Sequence, residues 1–332
     1  MAMAGRILVV LGLLLMAQQS LQLSTRHPLY STIQKINENA RFSFIAILGT
    51  SETNEKAFFE SSSFVPNEYQ PTIQLAGRTI HIGTIYAANV LYLTTGGSTI
   101  NAGIITQAVI DAFSVRLIIN FGSAGAINDS LSVGDVAIPK RVAFTRNINW
   151  LKYGTLDARV RGHLKIGKYN TPQEGENFLE GFDVNEVDVH KPSSNSTKYA
   201  LWLLYDRYLL EIAKTLEVEL AQCLDSTCLH GEPKLVVQRS ASTSDVYILN
   251  FDYREHLFWE YKVSTVDTES AAVLLAAKSN GVPAIAFRGI TNTAGKSSDD
   301  SNLSYLGSLN AVTVVIAFLA KLPVPYLAMP NF

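Results

Sequence analysis

The sequence predicts a single α/β domain, and three observations carry that expectation. Strand-like apolar runs alternate with segments of helical period along 332 residues, without an internal repeat. Several of those runs end in turns built from Gly, Ser and Thr. At 47% hydrophobic and 17% charged residues the chain is ordinary globular material. A net charge of −2 without a basic block provides no field for nucleic acid or an anionic membrane, so neither is expected as a partner.

Taken in order, HPLYSTIQKINENARF suggests a short helix, and FSFIAILGTSETNEKAFFESS reads as strand, turn and helix. RTIHIGTIYAANVLYLTTGGSTINA reads as two strands ending in a Gly-rich turn, and AGIITQAVIDAF as a helix. VRLIINFGSAGAI is expected as a buried strand stopped by its glycines, and VGDVAIPKRVAFT as a further strand. Residues 150–200 are polar and read as loops or an insertion, as in GKYNTPQEGENF and KPSSNSTK. WLLYDRYLLEIAKTLEV predicts an amphipathic helix and KLVVQRSAS a strand. DTESAAVLLAAKSNG predicts a helix stopped at Gly281. Val282 to Phe287 forms an apolar strand delivering Arg288 and Asn292 to its carboxyl end, and SLNAVTVVIAFLAKL closes the domain as a helix.

Residues 1–24 read as a signal peptide: Arg6 supplies the positive region, and Ile7 to Met16 is too short to span a bilayer. The alternative is an uncleaved amphipathic or buried N-terminal helix. No second stretch reads as long enough to cross a membrane, so the domain at 28–325 is expected outside the cytosol, extracellular or vacuolar, and off the membrane once mature. Cys223 and Cys228, the two cysteines, are close enough to close a small disulfide loop in an oxidising compartment. A metal site is not expected, because zinc needs about four ligands and no histidine pair stands nearby. Sequons at Asn128, Asn195 and Asn302 are about as many as chance gives and do not confirm secretion.

Gly289 to Ser297 resembles a phosphate-binding P-loop, but five residues separate its glycines where the motif needs four. No G-x-G-x-x-G occurs, Ser123 lies in G-S-A-G rather than a hydrolase elbow, and the six histidines form no H-E-x-x-H. The polar turns at 49–55, 94–99, 120–126, 240–247, 266–272 and 287–295 remain, offering amides and hydroxyls to an anion. Glu269 and Arg288 both stand beside strongly apolar runs; a structural salt bridge between them is the alternative to a catalytic role.

Taken together, INFGSAGAI, VGDVAIP, STSDVYI, VDTESAAV and FRGITN resemble the nucleoside phosphorylase and nucleosidase superfamily from about residue 43 to 320, with a break across 150–235. Within it the chain looks most like the plant branch of bark and vegetative storage proteins and cytokinin riboside phosphorylase. The resemblance implies a three-layer α/β/α sandwich with a central mixed sheet, a homo-oligomer, and cleavage of a purine–ribose bond without a cofactor other than phosphate as co-substrate. Carried onto this chain, it implies that Glu269, with neighbouring Thr268, binds the ribose hydroxyls. Tyr247 would stack on the base and Ile248 meet its edge through the backbone. Ser123 and Gly122 would hold the nucleophile beside Arg288, while Gly49, Thr50, Thr95 and Gly96 would complete a phosphate cradle.

Two departures bear on the reaction. Hydrolytic members carry a water-deprotonating glutamate where Asn54 stands, with Glu55 one residue on, and an acid where Asn292 stands. An amide cannot pass a proton at neutral pH but can donate a hydrogen bond to the leaving base. The leading expectation is therefore phosphorolysis of a purine or cytokinin riboside to free base and ribose 1-phosphate. A storage protein with little activity, and a nucleosidase using Glu55, remain as alternatives.

Overall fold

All six residues of Phe44–Gly49 (β1) are buried, which requires a sheet covered on both faces. The computed structural model describes residues 24–40, 43–86, 88–152, 164–165, 179–192, 194–296 and 303–323. The other long strands are Arg78–Ile85 (β2), Ala88–Thr94 (β3), Val115–Ala126 (β4), Val136–Phe144 (β5), Leu235–Thr243 (β6), Val263–Asp267 (β7) and Ala284–Thr293 (β8). With short strands at Val65–Pro66, Thr72–Leu75 and Leu203–Leu204 they make one eleven-stranded sheet. β1 lies parallel between β3 and β4, and β8 runs parallel to β4. β7 meets the end of β4 antiparallel, and β8 meets β5 antiparallel, so the sheet is mixed. Because β5 pairs β6, β6 pairs β7 and β4 pairs β8, these five strands close a ring.

The helices are Tyr30–Asn39 (α1), Glu52–Glu60 (α2), Thr99–Ala112 (α3), Arg207–Ala213 (α4), Phe251–Tyr261 (α5), Ser270–Ser279 (α6) and Ser304–Lys321 (α7). α2 packs with α7, and α3 with α6. Adjacent residues of β8 show that the two pairs cover opposite faces. Phe287 packs edge-on against Phe318 of α7 at 5.1 Å, whereas Arg288 donates to Ser270 of α6. The sandwich is three-layered. α7 approaches β8 main chain to main chain: a Cβ on Gly289 would stand 1.8 Å from the Gly307 carbonyl oxygen, and one on Gly307 2.4 Å from that of Ile290.

Several sequence expectations are corrected. β4 is not stopped by its glycines, because it changes partner at that point, from parallel β1 to antiparallel β7, and its ladder continues to Ala126. β8 likewise runs past Arg288 to Thr293, with an irregularity between Ile290 and Asn292. Part of 150–200 is strand: Ile148–Lys152 pairs with Leu179–Val184, and Val187–Lys191 with Ser194–Ala200. Only seven residues of the expected helix at 202–218 are helical, since Leu203–Leu204 pairs with β5 and Asp206 caps Leu209. α7 has the length and apolarity to cross a bilayer, contrary to expectation, but packs on β4, β8 and α2. The stretch 167–178, and all of the expected signal peptide except Ser24, lie outside the described residues. Cys223 and Cys228 close a two-strand hairpin through a disulfide.

Gly289→Ala should cost at least about 3 kcal/mol, because the obstacle is backbone rather than a movable side chain. An unchanged urea midpoint would show that the helix can move aside.

Candidate active site

A cleft of about 550 Å³ opens at the rim of the strand ring. Its walls are the turn after β1, the second half of β4, the segment after β6, the junction of β7 with α6, the end of β8 and the start of α7. Thr50, Ser123, Tyr247, Ile248, Thr268, Glu269 and Asn292 all line it, although they come from five separate segments. Gly49, Thr95, Gly96, Gly122 and Arg288 do not.

The centre of the assembly is Asp267, to which the sequence reading gave no role. Its Oδ1 accepts from the Thr243 hydroxyl at 2.8 Å and from the Ser270 amide at 2.8 Å, so it ties β6 to the start of α6. Its Oδ2 faces Arg288 Nε at 3.1 Å. The alternative of a Glu269–Arg288 salt bridge is thereby corrected: the buried guanidinium pairs with Asp267. Arg288 also donates to Ser270 and to Asn120, whose own amide donates to the Leu48 carbonyl of β1 at 3.0 Å. Nη1 of Arg288 is buried without a hydrogen-bond partner.

Gly122 explains where that atom can act. A Cβ on Gly122 would stand 2.2 Å from Thr50 Oγ1 and 2.9 Å from Arg288 Nη1. The missing side chain thus lets the hydroxyl and the guanidinium edge pack closely against the Gly122 backbone. Asn54 is fully buried and tied to four hydroxyls: Thr50, Ser51, Ser123 and Ser308. Ser308 arrives from α7 and had no signal in the sequence. Glu55 does not line the cleft; it faces His81 at 3.5 Å on the outer side of α2. Thr95 spends its hydroxyl on the Gly49 and Gly96 carbonyls, and Gly96 lies against Arg78, so neither lines the cleft.

At the other end Glu269 is 4% exposed, and the Thr268 hydroxyl donates to it. Burial pushes its carboxyl up to about 7, with Asp267 adding to the rise and Arg288 opposing it. Asn292 is turned by the irregularity in β8, which leaves Thr291 unpaired with β4 and sets Asn292 opposite Gly125. Tyr247 is 77% exposed at the mouth. Its segment is held by the Gly295 amide on the Ile248 carbonyl at 2.8 Å and by Asp245 accepting from the Thr99 amide at 2.8 Å. Among the described residues no group of three His, Cys, Asp or Glu side chains is placed to hold a metal ion.

This fold and cleft belong to a known class: the chain is a member of the phosphorylase superfamily, which it matches over residues 44–320. More narrowly, it falls with the storage-protein branch: bark storage protein B of Populus deltoides is 34% identical over 316 residues, 94% of this chain and 99% of that one. A 5′-methylthioadenosine/S-adenosylhomocysteine nucleosidase of Listeria monocytogenes is 26% identical across 83% of this chain and 98% of its own. The Helicobacter pylori nucleosidase of that name, solved with butyl-thio-DADMe-Immucillin-A, shares the fold at TM-score 0.59 and 18% identity, over 85% of this chain and 99% of that one. The futalosine hydrolase of Helicobacter pylori strain 26695 does so at 0.58 and 17%, over 84% and 98%.

The raised carboxyl of Glu269 has a consequence for stability. Between 4.5 and about 7 the folded protein keeps a proton that the unfolded chain releases, so this contribution is full at low pH and is lost as pH rises through about 7. Glu269→Gln should therefore unfold at higher urea than the parent at pH 8, by on the order of 3 kcal/mol, with the gap closing by pH 4. Equal gaps at both pH values would place the cost elsewhere.

Proposed function

We propose that the chain cleaves a purine or cytokinin riboside by phosphorolysis. A phosphate oxygen attacks C1′, the C1′–N9 bond breaks with its electron pair going to the base, and ribose 1-phosphate and free base result. The observation that carries this reading is the make-up of the nucleophile end. Four hydroxyls line the cleft there, backed by the buried Asn54 amide and the buried, unpartnered Nη1 of Arg288, with Glu55 turned away to His81. Water needs a base to attack, whereas phosphate arrives ionised. Thr50 and Ser123, which line the cleft, take the phosphate with the Arg288 charge buried behind them, while Gly49, Thr95 and Gly96 shape the turn. Glu269 accepts from the ribose hydroxyls, Tyr247 stacks on the base, and the Asn292 amide donates to it as negative charge develops.

A second reading, storage with little turnover, is favoured by the similarity to bark storage protein B. As part of the proposal the chain works as a homo-oligomer, since Tyr247, Leu249, Ile100 and Ile104 expose apolar surface near the cleft mouth. A route through the secretory pathway to an extracellular or vacuolar destination is supported by the disulfide.

The test is base release from adenosine, inosine and isopentenyladenosine, followed by chromatography with and without phosphate. Release that requires phosphate is expected; release without it would favour hydrolysis, and none at all would favour storage. Glu269→Ala should lower kcat/KM by about two to three orders of magnitude, the worth of two hydrogen bonds to a charged group. Because a protonated Glu269 accepts more weakly, nucleoside affinity in the parent should fall as pH drops below about 7. An affinity flat from pH 5 to 8 would count against ribose recognition by this carboxylate.

A further inference from the structure

The amide of Asn54 does more than fill the place of an acid. Two hydroxyls lie close to its oxygen, Thr50 Oγ1 at 2.7 Å and Ser51 Oγ at 2.8 Å, in the range where a hydroxyl donates to an oxygen. Two lie farther from its nitrogen, Ser308 Oγ at 2.9 Å, in the range where an amide N–H donates, and Ser123 Oγ at 3.4 Å, a longer and weaker contact. The opposite amide orientation would put N–H donors at the two shortest distances. Ser51 fits the same sense, because its oxygen already accepts from the Asn54 backbone amide and its proton is free to go to Oδ1.

This wiring divides the pocket by polarity. Thr50 and Ser51 have given their protons to Asn54 and turn lone pairs outward. Ser123 and Ser308 receive from Asn54 and keep their own protons; one spans the 3.5 Å between them, and the other is left for the cleft. All four side chains line the same cleft. A guest is then met by an O–H donor on the side of Ser123 and Ser308, and by acceptors on the side of Thr50 and Ser51. A wholly deprotonated oxyanion would set its own lone pairs against those of Thr50.

We propose that Asn54 is a positioning residue that makes the nucleophile pocket selective for a protonated oxyanion. Hydrogen phosphate and hydrogen arsenate, each with one O–H to donate to Thr50, are accepted; sulfate, which carries no proton at neutral pH, is refused. The inference rests on the phosphorolysis reading for the identity of the guest. It adds that the pocket reads the guest's proton as well as its charge.

The experiment is calorimetric titration of the full chain at pH 7.5 with phosphate, arsenate and sulfate. Phosphate and arsenate should bind alike, and sulfate more weakly by on the order of 10- to 100-fold, the worth of one unmet buried lone pair. Thr50→Val, of the same shape, should bring phosphate down to the sulfate level and leave sulfate unchanged. Asn54→Ala should drive the phosphate-to-sulfate ratio toward one, because the freed hydroxyls can rotate to suit either ion; a purely structural role would weaken both anions and keep the ratio. Equal binding of phosphate and sulfate by the parent, or an unchanged ratio in both variants, overturns the selectivity while leaving phosphorolysis standing. Failure of the parent to bind phosphate overturns both.

Discussion

The ion pair between Asp267 and Arg288 is the constraint on which the site depends. Both side chains are out of water, and an isolated charge there would cost several kcal/mol. The cost is offset because each is held by further partners. Thr243 and the first amides of α6 close on the carboxylate, while Ser270 and Asn120 close on the guanidinium. Through these contacts β1, β4, β6, β7, β8 and α6 meet around two side chains. Loss of either partner would leave the other charged and unmatched, so the arrangement holds or fails as a unit.

That pair also separates the cleft into two electrostatic environments. Arg288 is neutralised on one edge by Asp267, and its Nη1 stays unpartnered beside Gly122, behind the hydroxyls that line the cleft. Glu269, two residues from Asp267, is denied an ion pair and sits near neutrality.

The alternation of strands and helices was legible in the sequence, as were Glu269 and Arg288, since a charge beside a long apolar run is conspicuous. The pairing was not legible. In Asp267-Thr268-Glu269 either carboxylate could have met Arg288, and the choice is made by α6, which begins at Ser270 and draws its cap from Asp267. Ser308 lies 254 positions from Asn54, and no local pattern announces that meeting. α5 went unseen because aromatic and charged residues alternate around it, and it buries Arg254 and His256 along with Leu257. The glycines of β4 were read as stops, whereas Gly122 is there to admit Thr50 and Arg288.

The contact of Gly289 with Gly307 joins two peptide backbones directly. A main-chain contact has no rotamers and cannot be loosened by exchanging one apolar side chain for another. The spacing between Ser308 on α7 and Ser123 on β4 is therefore held by a main-chain contact as well as by the packing of Phe287 on Phe318. Sequence drift in that core is buffered at this point: a lineage can replace much of its interior and still inherit the same ring of hydroxyls.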